Sequence, residues 1–312
     1  MIRVRILALS GALVALFAFS SCQSNNPAAG EAGSGNRSGA VENSGGPRLA
    51  SYSQTPAPTE NLGPSPNVGA PAYVVVNART GQLLASRNPH QRRAVASTQK
   101  LLTALVLMEK PNLDAMVTVA QPETWVAPTK MGIKAGQRFR KGDLLQAMLI
   151  RSSNDIAHCL ARSHAGSESA FVGQMNRKAR ELGMRNSRFA NPSGLTAPGQ
   201  YSSAYDVSIL ATHALNNSWI HRVTQTREIV FKFPDGSTKL ISNTNKLLRT
   251  SPYCVGMKTG YTSPAGRCLV SVGKKDFKKV IVVVLGSQVP DIWDESKALL
   301  HWALEIEDPP SA

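Results

Sequence analysis

Apolar positions along the chain follow two different periods. Near the start of the folded part, short apolar runs alternate with turn residues in AYVVVNARTGQLLASR. The same pattern dominates the chain after Asn217, in REIVFKFPDGSTKLI, CVGMKTG, GRCLVSVG and KKVIVVVLGS. Such runs, joined by turns that contain Gly or Asp-Gly, are typical of β-hairpins. The pattern therefore predicts strands near both ends of the folded part.

Between these strands the spacing of apolar residues becomes helical. The segment from Ser97 to Lys110 places its leucines and valine three and four positions apart, and residues 168–183 carry an apolar stripe that stops at Gly183. A last helix is predicted in DESKALLHWALE. Strands at both ends with helices between them predict an α/β (α+β) domain, an antiparallel sheet covered by helices with an inserted helical region.

The first 69 residues follow neither pattern. Residues 1–22, MIRVRILALSGALVALFAFSSC, have two arginines, an apolar stretch and small residues before Cys22, the layout of an export signal. FSSC resembles the lipobox of bacterial lipoproteins, in which the cysteine carries the lipid, although Phe19 stands where Leu is usual. We therefore expect an exported protein of the cell envelope or periplasm, anchored to a membrane through lipidated Cys22; ordinary cleavage after a small residue is the alternative.

Residues 23–69 are rich in Gly, Ser, Pro, Asn and Ala and have almost no large apolar residue. Such a segment cannot bury enough surface to offset the entropy of ordering the chain, so we predict a flexible tether. The predicted organisation is a signal at 1–22, a tether at 23–69, one folded domain at 70–308 and a tail at 309–312.

The net charge of +15 and the pI near 10.0 raise the question of nucleic-acid binding. The basic residues are dispersed, no nucleic-acid-binding signature accompanies them, and export argues against such a partner. We expect no nucleic acid; an anionic envelope surface or polymer fits the charge better.

Four cysteines are present, and if Cys22 carries a lipid the other three cannot all pair. Cys254 and Cys268 lie on two predicted neighbouring strands. A turn centred near Ser263 would put Cys268 opposite Lys258, about four residues or ~13 Å from Cys254 at the rise of a strand. We predict no disulfide between them.

Ser97 and Lys100 lie three positions apart at the start of a predicted helix, in ASTQK. Residues with this spacing share a helix face, so the amine can reach the hydroxyl. Ser97 would also lie where free backbone N–H groups favour developing negative charge. Taken alone, the pair is ambiguous: Ser97 could be a helix cap, and Ser271 and Lys274 repeat the spacing in a predicted strand.

Two further triplets change this picture: Ser-Ser-Asn at 152–154, in a break between helices, and Lys-Thr-Gly at 258–260, in a predicted strand. In this order and these contexts they resemble the penicillin-recognising serine D,D-peptidases, specifically the low-mass D-alanyl-D-alanine carboxypeptidases. The segments GDLLQAMLIRSSNDIAHCLA, FVGQMNRKARELGMRNSRFANPSGL, YSSAYDVSIL, NTNKLL and GMKTGYTSPAGRCLVSV extend the resemblance over residues 70 to 306 or so.

The resemblance implies the D,D-peptidase/β-lactamase-like fold, with a five-stranded antiparallel sheet, and a catalytic role for the domain at 70–308. It implies that Ser97 is the nucleophile and Lys100 its general base. Two ammonium groups near one hydroxyl cannot both be comfortably charged, so one of Lys100 and Lys258 is expected to be neutral. Ser152 would relay a proton to the leaving amine, and Asn154 would hold Lys100 and the substrate amide.

The same resemblance assigns substrate binding to the strand that carries Lys258. Thr259 would bind the terminal carboxylate, Gly260 would let an extended peptide lie along the strand, and the backbone N–H groups of Ser97 and Tyr261 would form the oxyanion hole. Relatives commonly have an arginine before the last helix, where this chain has Ile292. Arg267, expected across the hairpin from Lys258, is the candidate substitute.

The implied function is a penicillin-inhibited serine D,D-carboxypeptidase acting on peptidoglycan stem pentapeptides. The main alternative is a D,D-endopeptidase of peptidoglycan cross-links, because some relatives of this length lack a second domain. A non-catalytic envelope-binding protein is a further alternative, and so is a β-lactamase, although residues 182–205 lack the acidic residue that class A enzymes use for deacylation.

We expect no cofactor and no metal, since the six histidines show no paired ligand spacing. His158 is expected to be a satisfied helix residue, and Cys159 and Cys268 to be core residues.

Overall fold

The computed structural model describes residues 62–288 and 290–305. The predicted export signal with Cys22, most of the predicted tether and the predicted tail at 309–312 lie outside these residues. Those three expectations stay predictions. None of the helices within 62–288 and 290–305 is long and apolar enough to cross a bilayer.

The described elements alternate between strands and helices much as the apolar pattern predicts. In chain order they are β1 (Ala72–Asn77), β2 (Leu83–Arg87), α1 (Lys100–Met108), β3 (Met116–Thr118), β4 (Arg138–Arg140), α2 (Lys141–Arg151), α3 (Asn154–Ala165), α4 (Glu168–Glu181), α5 (Ala204–Asn216), α6 (Ser218–Gln225), β5 (Glu228–Lys232), β6 (Thr238–Ser242), α7 (Leu247–Thr250), β7 (Cys254–Thr262), β8 (Gly266–Lys275), β9 (Lys278–Ser287) and α8 (Ile292–Ala303).

Five of the strands form one antiparallel sheet in the order β2-β1-β9-β8-β7. The predicted five-stranded antiparallel sheet is confirmed, and strands from both ends of the folded part meet in it because β1 pairs with β9. The strands β3 and β4 form a separate small sheet, and β5 and β6 form the predicted hairpin through the turn at 234–236.

The large sheet separates two hydrophobic clusters, because successive strand residues point to opposite faces. On β1, Val74 and Val76 face the larger cluster with helices α1 to α6, whereas Tyr73 and Val75 face the smaller cluster with α7 and α8. The centres of β8 and β9 are buried on both faces, which explains their continuous apolar runs.

The pairing of β7 with β8 differs from the predicted one by two residues. Cys268 lies opposite Gly260, Lys258 lies opposite Val270, and Arg267 lies opposite Tyr261. The predicted turn lies one residue too early. In an antiparallel pair, moving the turn by one residue moves the pairing by two residues. The expectation that Arg267 faces Lys258 across the hairpin is therefore wrong.

The cysteines follow the prediction despite this shift. Cys159, Cys254 and Cys268 are all free and buried. Cys254 pairs with Gly273, five positions along β8 from Cys268, so the two thiols lie far apart on neighbouring strands. The predicted absence of a disulfide between them and the predicted core positions of Cys159 and Cys268 are confirmed.

Candidate active site

Ser97 lies in a 3₁₀ turn, Ala96–Gln99, that immediately precedes α1, rather than in the helix itself. The residue before it, Ala96, has a φ of +47°, a conformation that side chains disfavour. Two glycines make room for this turn. A Cβ on Gly194 would lie 2.1 Å from the Ala96 carbonyl oxygen, and one on Gly260 would lie 2.9 Å from the Ser97 nitrogen. The Ser97 turn is thus held between the 191–195 segment and β7.

The amine of Lys100 reaches back to Ser97, as its spacing predicts. Its Nζ lies 2.8 Å from Ser97 Oγ, 2.7 Å from Asn154 Oδ1 and 2.5 Å from the Ser193 carbonyl oxygen. The two carbonyl oxygens can only accept, so they take two N–H groups of the amine. A neutral amine then has its lone pair left for the Ser97 hydroxyl, which is the arrangement a general base requires.

The electrostatics of the site favour this neutral form. Lys100 is fully buried, and burial together with the neighbouring Lys258 holds its pKa well below the usual value, although Asp155 acts in the opposite direction. Burial also lowers the pKa of Lys258 to about 7. The expectation that these two ammonium groups are not both comfortably charged agrees with both pKa shifts.

Ser152 and Asn154 occupy the break between α2 and α3. Ser152 ends α2 in the left-handed conformation, with φ of +67°, and this turns the chain so that α3 begins at Asn154. The Asn154 amide bridges two groups: its oxygen accepts from Lys100, and its nitrogen donates to the Pro128 carbonyl at 2.6 Å. Asn154 therefore ties the amine to the loop at 126–133.

Lys258 joins this break to β7. Its Nζ donates to Ser152 Oγ at 2.8 Å and to the Thr259 carbonyl at 3.0 Å. The structure thus brings together Ser97, Lys100, Ser152, Asn154 and Lys258, which the sequence spreads over 162 positions. Their roles stay predictions, but their proximity is a property of the fold.

The remaining predicted residues lie on β7 or, for Arg267, on the neighbouring strand β8. The Thr259 hydroxyl lies 2.6 Å from that of Thr244, and Gly260 lies against the Ser97 turn. Tyr261 is 54% exposed, and the Arg267 guanidinium lies over its ring, 4.3 Å from the centroid. Arg267 is consequently near the end of the strand, stacked beside the predicted carboxylate site rather than opposite Lys258.

Several groups in the site could not be predicted from the sequence. The Ser193 carbonyl contacts both Lys100 and Ser97, but a backbone oxygen has no residue-type signature. Thr244 lies in NTNKLL, a segment that resembles the family, yet no chemistry pointed to its hydroxyl. Asp155 accepts hydrogen bonds from the backbone of Met131 and Gly132 and so fixes the loop that Asn154 contacts.

Among residues 62–288 and 290–305, no cluster of three or more His, Cys, Asp or Glu side chains could hold a metal ion. The site itself offers a hydroxyl, two amines whose pKa values are lowered, a second hydroxyl and an amide.

The sequence profile of the D-alanyl-D-alanine carboxypeptidases matches residues 59–289. The chain belongs to the D-alanyl-D-alanine carboxypeptidase family. The matched range contains every residue of the site described above.

Curated relatives carry two different activities in their names. The chain is 34% identical over 226 residues to D-alanyl-D-alanine carboxypeptidase DacF of Bacillus subtilis, covering 71% of this chain and 58% of DacF. It is 32% identical over 240 residues to a D-alanyl-D-alanine endopeptidase of Pseudomonas aeruginosa, covering 75% of this chain and 76% of the relative. The chain thus spans little more than half the length of DacF.

A solved structure has the same fold. The Streptomyces K15 DD-transpeptidase superposes with a TM-score of 0.74 at 27% identity, covering 78% of this chain and all of the transpeptidase. The predicted D,D-peptidase fold and the family resemblance are confirmed by these comparisons.

Proposed function

We propose that the chain is a serine D,D-carboxypeptidase that removes the terminal D-alanine from peptidoglycan stem pentapeptides. The observation that carries this proposal is the Lys100 amine. It lies 2.8 Å from Ser97 Oγ, while its N–H groups are directed to the carbonyl oxygens of Asn154 and Ser193. A buried amine whose pKa is lowered, in contact with a serine hydroxyl, can remove the hydroxyl proton as the serine attacks.

The first half of the reaction forms the acyl-enzyme. Ser97 Oγ attacks the carbonyl carbon of the last peptide bond and passes its proton to Lys100 Nζ. The backbone N–H groups of Ser97 and Tyr261 bind the oxyanion, each donor contributing ~3 kcal/mol in other hydrolases. Lys100 then returns this proton to the leaving amine through Ser152, which accepts a hydrogen bond from Lys258, so that Lys100 is neutral for the second half. The C–N bond breaks and D-alanine leaves.

The second half restores the enzyme. A water molecule attacks the ester carbonyl, Lys100 takes its proton, and the ester bond to Ser97 Oγ breaks as that oxygen regains a proton. During the first half Thr259 binds the terminal carboxylate, which then leaves with D-alanine. Thr244, 2.6 Å away, can donate a second hydroxyl to the same carboxylate.

Arg267 is proposed as the cationic partner of that carboxylate, in place of the arginine that relatives carry before the last helix. Its guanidinium is held over the Tyr261 ring, directly after Gly260. Such stacking leaves the edge of the guanidinium free for a carboxylate. Arg267→Ala is expected to raise KM for a D-Ala-D-Ala peptide with little change in kcat, whereas an unchanged KM would remove Arg267 from the site.

Penicillins are proposed to acylate Ser97 and to leave slowly. Class A β-lactamases drive deacylation with a glutamate in an added loop, and residues 182–205 contain no acidic residue. A covalent penicillin adduct on Ser97, stable enough for mass spectrometry, is the expected result. Rapid hydrolysis of nitrocefin would instead favour the β-lactamase alternative.

The endopeptidase alternative is kept because one relative is named for that activity. The experiment that separates the two uses purified peptidoglycan peptides and the matched variant Ser97→Ala as its blank. Free D-alanine from a monomeric pentapeptide supports the carboxypeptidase, and monomers from cross-linked dimers support the endopeptidase. A protein that releases neither and takes up no fluorescent penicillin would be a non-catalytic envelope protein.

We also propose export and lipid anchoring through Cys22, which would place the enzyme at the cell envelope or periplasm beside its substrate. The support is the sequence alone, namely the signal-like residues 1–22 and the lipobox-like FSSC. Cys22→Ser is expected to release the protein from membranes into the soluble fraction of cells. A wild-type protein that is itself soluble would contradict the anchor.

A further inference from the structure

His158 lies on α3, one helical turn beyond Asn154, and both of its ring nitrogens have partners. Nδ1 lies 2.7 Å from Glu168 Oε2, at the first residue of α4, and Nε2 lies 3.0 Å from Ser193 Oγ. The side chain is nearly buried, with 12% exposed. These contacts link Glu168 and His158 to Ser193, whose carbonyl oxygen accepts a hydrogen bond from Lys100. None of these three residues belongs to the three family motifs.

Ser193 is held by a group of hydrogen bonds centred on Asn191. Asn191 Oδ1 accepts from the backbone nitrogens of Ser193 and Gly194, and its Nδ2 donates to the Leu195 carbonyl, so the orientation of the amide is fixed. Ser193 Oγ lies 3.1 Å from the same Oδ1, which can only accept. The Ser193 hydroxyl thus lies between Asn191 and the His158 ring.

The His158 ring and the Ser193 hydroxyl share one hydrogen bond at Nε2, and which of them donates depends on the tautomer of the ring. Nδ1 faces a carboxylate oxygen, which accepts, so Nδ1 carries a hydrogen and Glu168 anchors the ring. Glu168 is in the first turn of α4, where the helix dipole favours its negative charge.

We propose that His158, held by Glu168, is a positioning residue for the acylation step: it fixes Ser193 so that the Ser193 carbonyl stays against Lys100 Nζ and Ser97 Oγ. The inference deepens the proposed function and rests on it. The Ser193 carbonyl takes one N–H of Lys100 and thereby helps direct the lone pair of the amine to the Ser97 hydroxyl. Loosening the 191–195 segment lets the amine rotate away from its productive orientation, and misplaced reacting groups can lose rate by up to about 100-fold.

The test measures the second-order rate of Ser97 acylation by a fluorescent penicillin as a function of pH, together with the melting temperature. His158→Ala breaks the link at the ring, and Ser193→Ala breaks it at the hydroxyl while leaving the carbonyl in the chain. Each is expected to lower the acylation rate about tenfold. The double variant is expected to be no slower than the slower single variant, because both remove the same link.

Two further readouts separate positioning from general destabilisation. A carbonyl that accepts from Lys100 favours its protonated form, so loosening it lowers the pKa of Lys100 further. The acidic limb of the rate profile is then expected to move to lower pH in both variants. Glu168→Gln is expected to act in the same direction. Glu181→Gln, at the other end of α4 and paired with Lys178, is the matched control and keeps the wild-type rate.

The inference is overturned if the single variants acylate at the wild-type rate. It is also overturned if their losses multiply in the double variant, or if rate falls only in proportion to the folded fraction with no movement of the pH profile. A wild-type protein that takes up no label at Ser97 overturns the proposed function as well. A labelled wild type with unaffected variants overturns the positioning role of His158 alone.

Discussion

Two lysines with almost no exposed surface define this molecule at the scale of single residues. Lys100 and Lys258 are 0% and 1% exposed, and within residues 62–288 and 290–305 neither amine has a carboxylate at hydrogen-bonding distance. Burying an unpaired charge is costly, and a buried lysine responds by giving up its proton at lower pH. The lowered pKa that the proposed role of Lys100 as a base requires thus accompanies a lower stability of the folded chain.

Replacing Lys258 by methionine is expected to stabilise the protein at low pH and to inactivate it. The folded pKa is about 7 and the unfolded value is near 10.5, so between these values the unfolded chain binds more protons and wild-type stability rises with pH. Below pH 7 both states are protonated and the cost of the buried charge is complete. The stabilisation of the variant relative to wild type is therefore larger at pH 6 than at pH 9, changing by at most about 1.4 kcal/mol per pH unit.

Urea unfolding at the two pH values measures this difference. Lys239→Met, a substitution of an exposed lysine on β6, is the matched control and is expected to show no such pH dependence. Penicillin acylation of Lys258→Met is expected to fall by roughly 100-fold, because Ser152 loses the amine that holds its hydroxyl for the proton relay. A variant that is equally stabilised at pH 6 and pH 9 would mean that Lys258 does not release its proton in this range.

The same scale explains which site residues the sequence could predict. The predicted catalytic roles belong to side chains whose chemistry is visible in ordered motifs, those of Ser97, Lys100, Ser152, Asn154 and Lys258. The carbonyls of Ser193 and Pro128 are backbone groups, which every residue possesses, so no residue type marks them. Their positions follow from tertiary packing, which the spacing of motifs does not encode.

At the scale of elements, the site is assembled by close contacts between backbone segments. Gly194 and Gly260 approach the turn at 96–97 from two sides, and both leave no space for a side chain. Gly194 also has a φ of +86°, which side chains disfavour. These two contacts bring the 191–195 segment and β7 to Ser97.

Gly194→Ala is expected to be far more damaging than a substitution at a glycine with similar φ and open surroundings. Its Cβ would lie 2.1 Å from the Ala96 carbonyl oxygen, and backbone on both sides would have to move. Gly166, with φ of +80° and no atom within 4 Å of an added Cβ, is the matched control. Gly166→Ala is expected to cost about 1 to 2 kcal/mol from strain alone.

Urea unfolding and penicillin acylation together test this expectation. Gly194→Ala should lose several kcal/mol more than the control, in the range of severe steric substitutions, and should lose acylation even where it remains folded. Equal losses in the two variants would show that the Ser97 turn tolerates displacement of the 191–195 segment.

The elements themselves were largely predictable, and their pairing was less so. The hairpins at β1–β2 and β5–β6, the helix α4 and the last helix α8 all appear where periodicity and turn residues place them. Local sequence governs such features. The register of β7 and β8 depends on the position of one turn, so an error of one residue there moved the partner of Cys268 from Lys258 to Gly260 and left Arg267 opposite Tyr261.

At the scale of the whole molecule, the central sheet couples two hydrophobic clusters. The strands β1, β8 and β9 contribute alternate residues to both, so neither cluster can open without disturbing strands that support the other. Both clusters contain buried cysteines: Cys159 and Cys268 lie in the larger cluster, and Cys254 lies in the smaller one.

The three buried thiols are expected to become reactive together when the described domain unfolds. Burial raises the pKa of all three, that of Cys268 to about 11, so the native thiols are both inaccessible and poorly ionised. Unfolding removes both barriers at once, since an unfolded thiol has a pKa near 8.5. The measurement is iodoacetamide labelling across a urea series, with peptide mapping to follow each cysteine and to separate Cys22. Because the clusters share three strands, we expect Cys159, Cys254 and Cys268 to become labelled with one shared midpoint. An earlier midpoint for Cys254 would instead mean that α7 and α8 detach from the sheet before the active-site half unfolds.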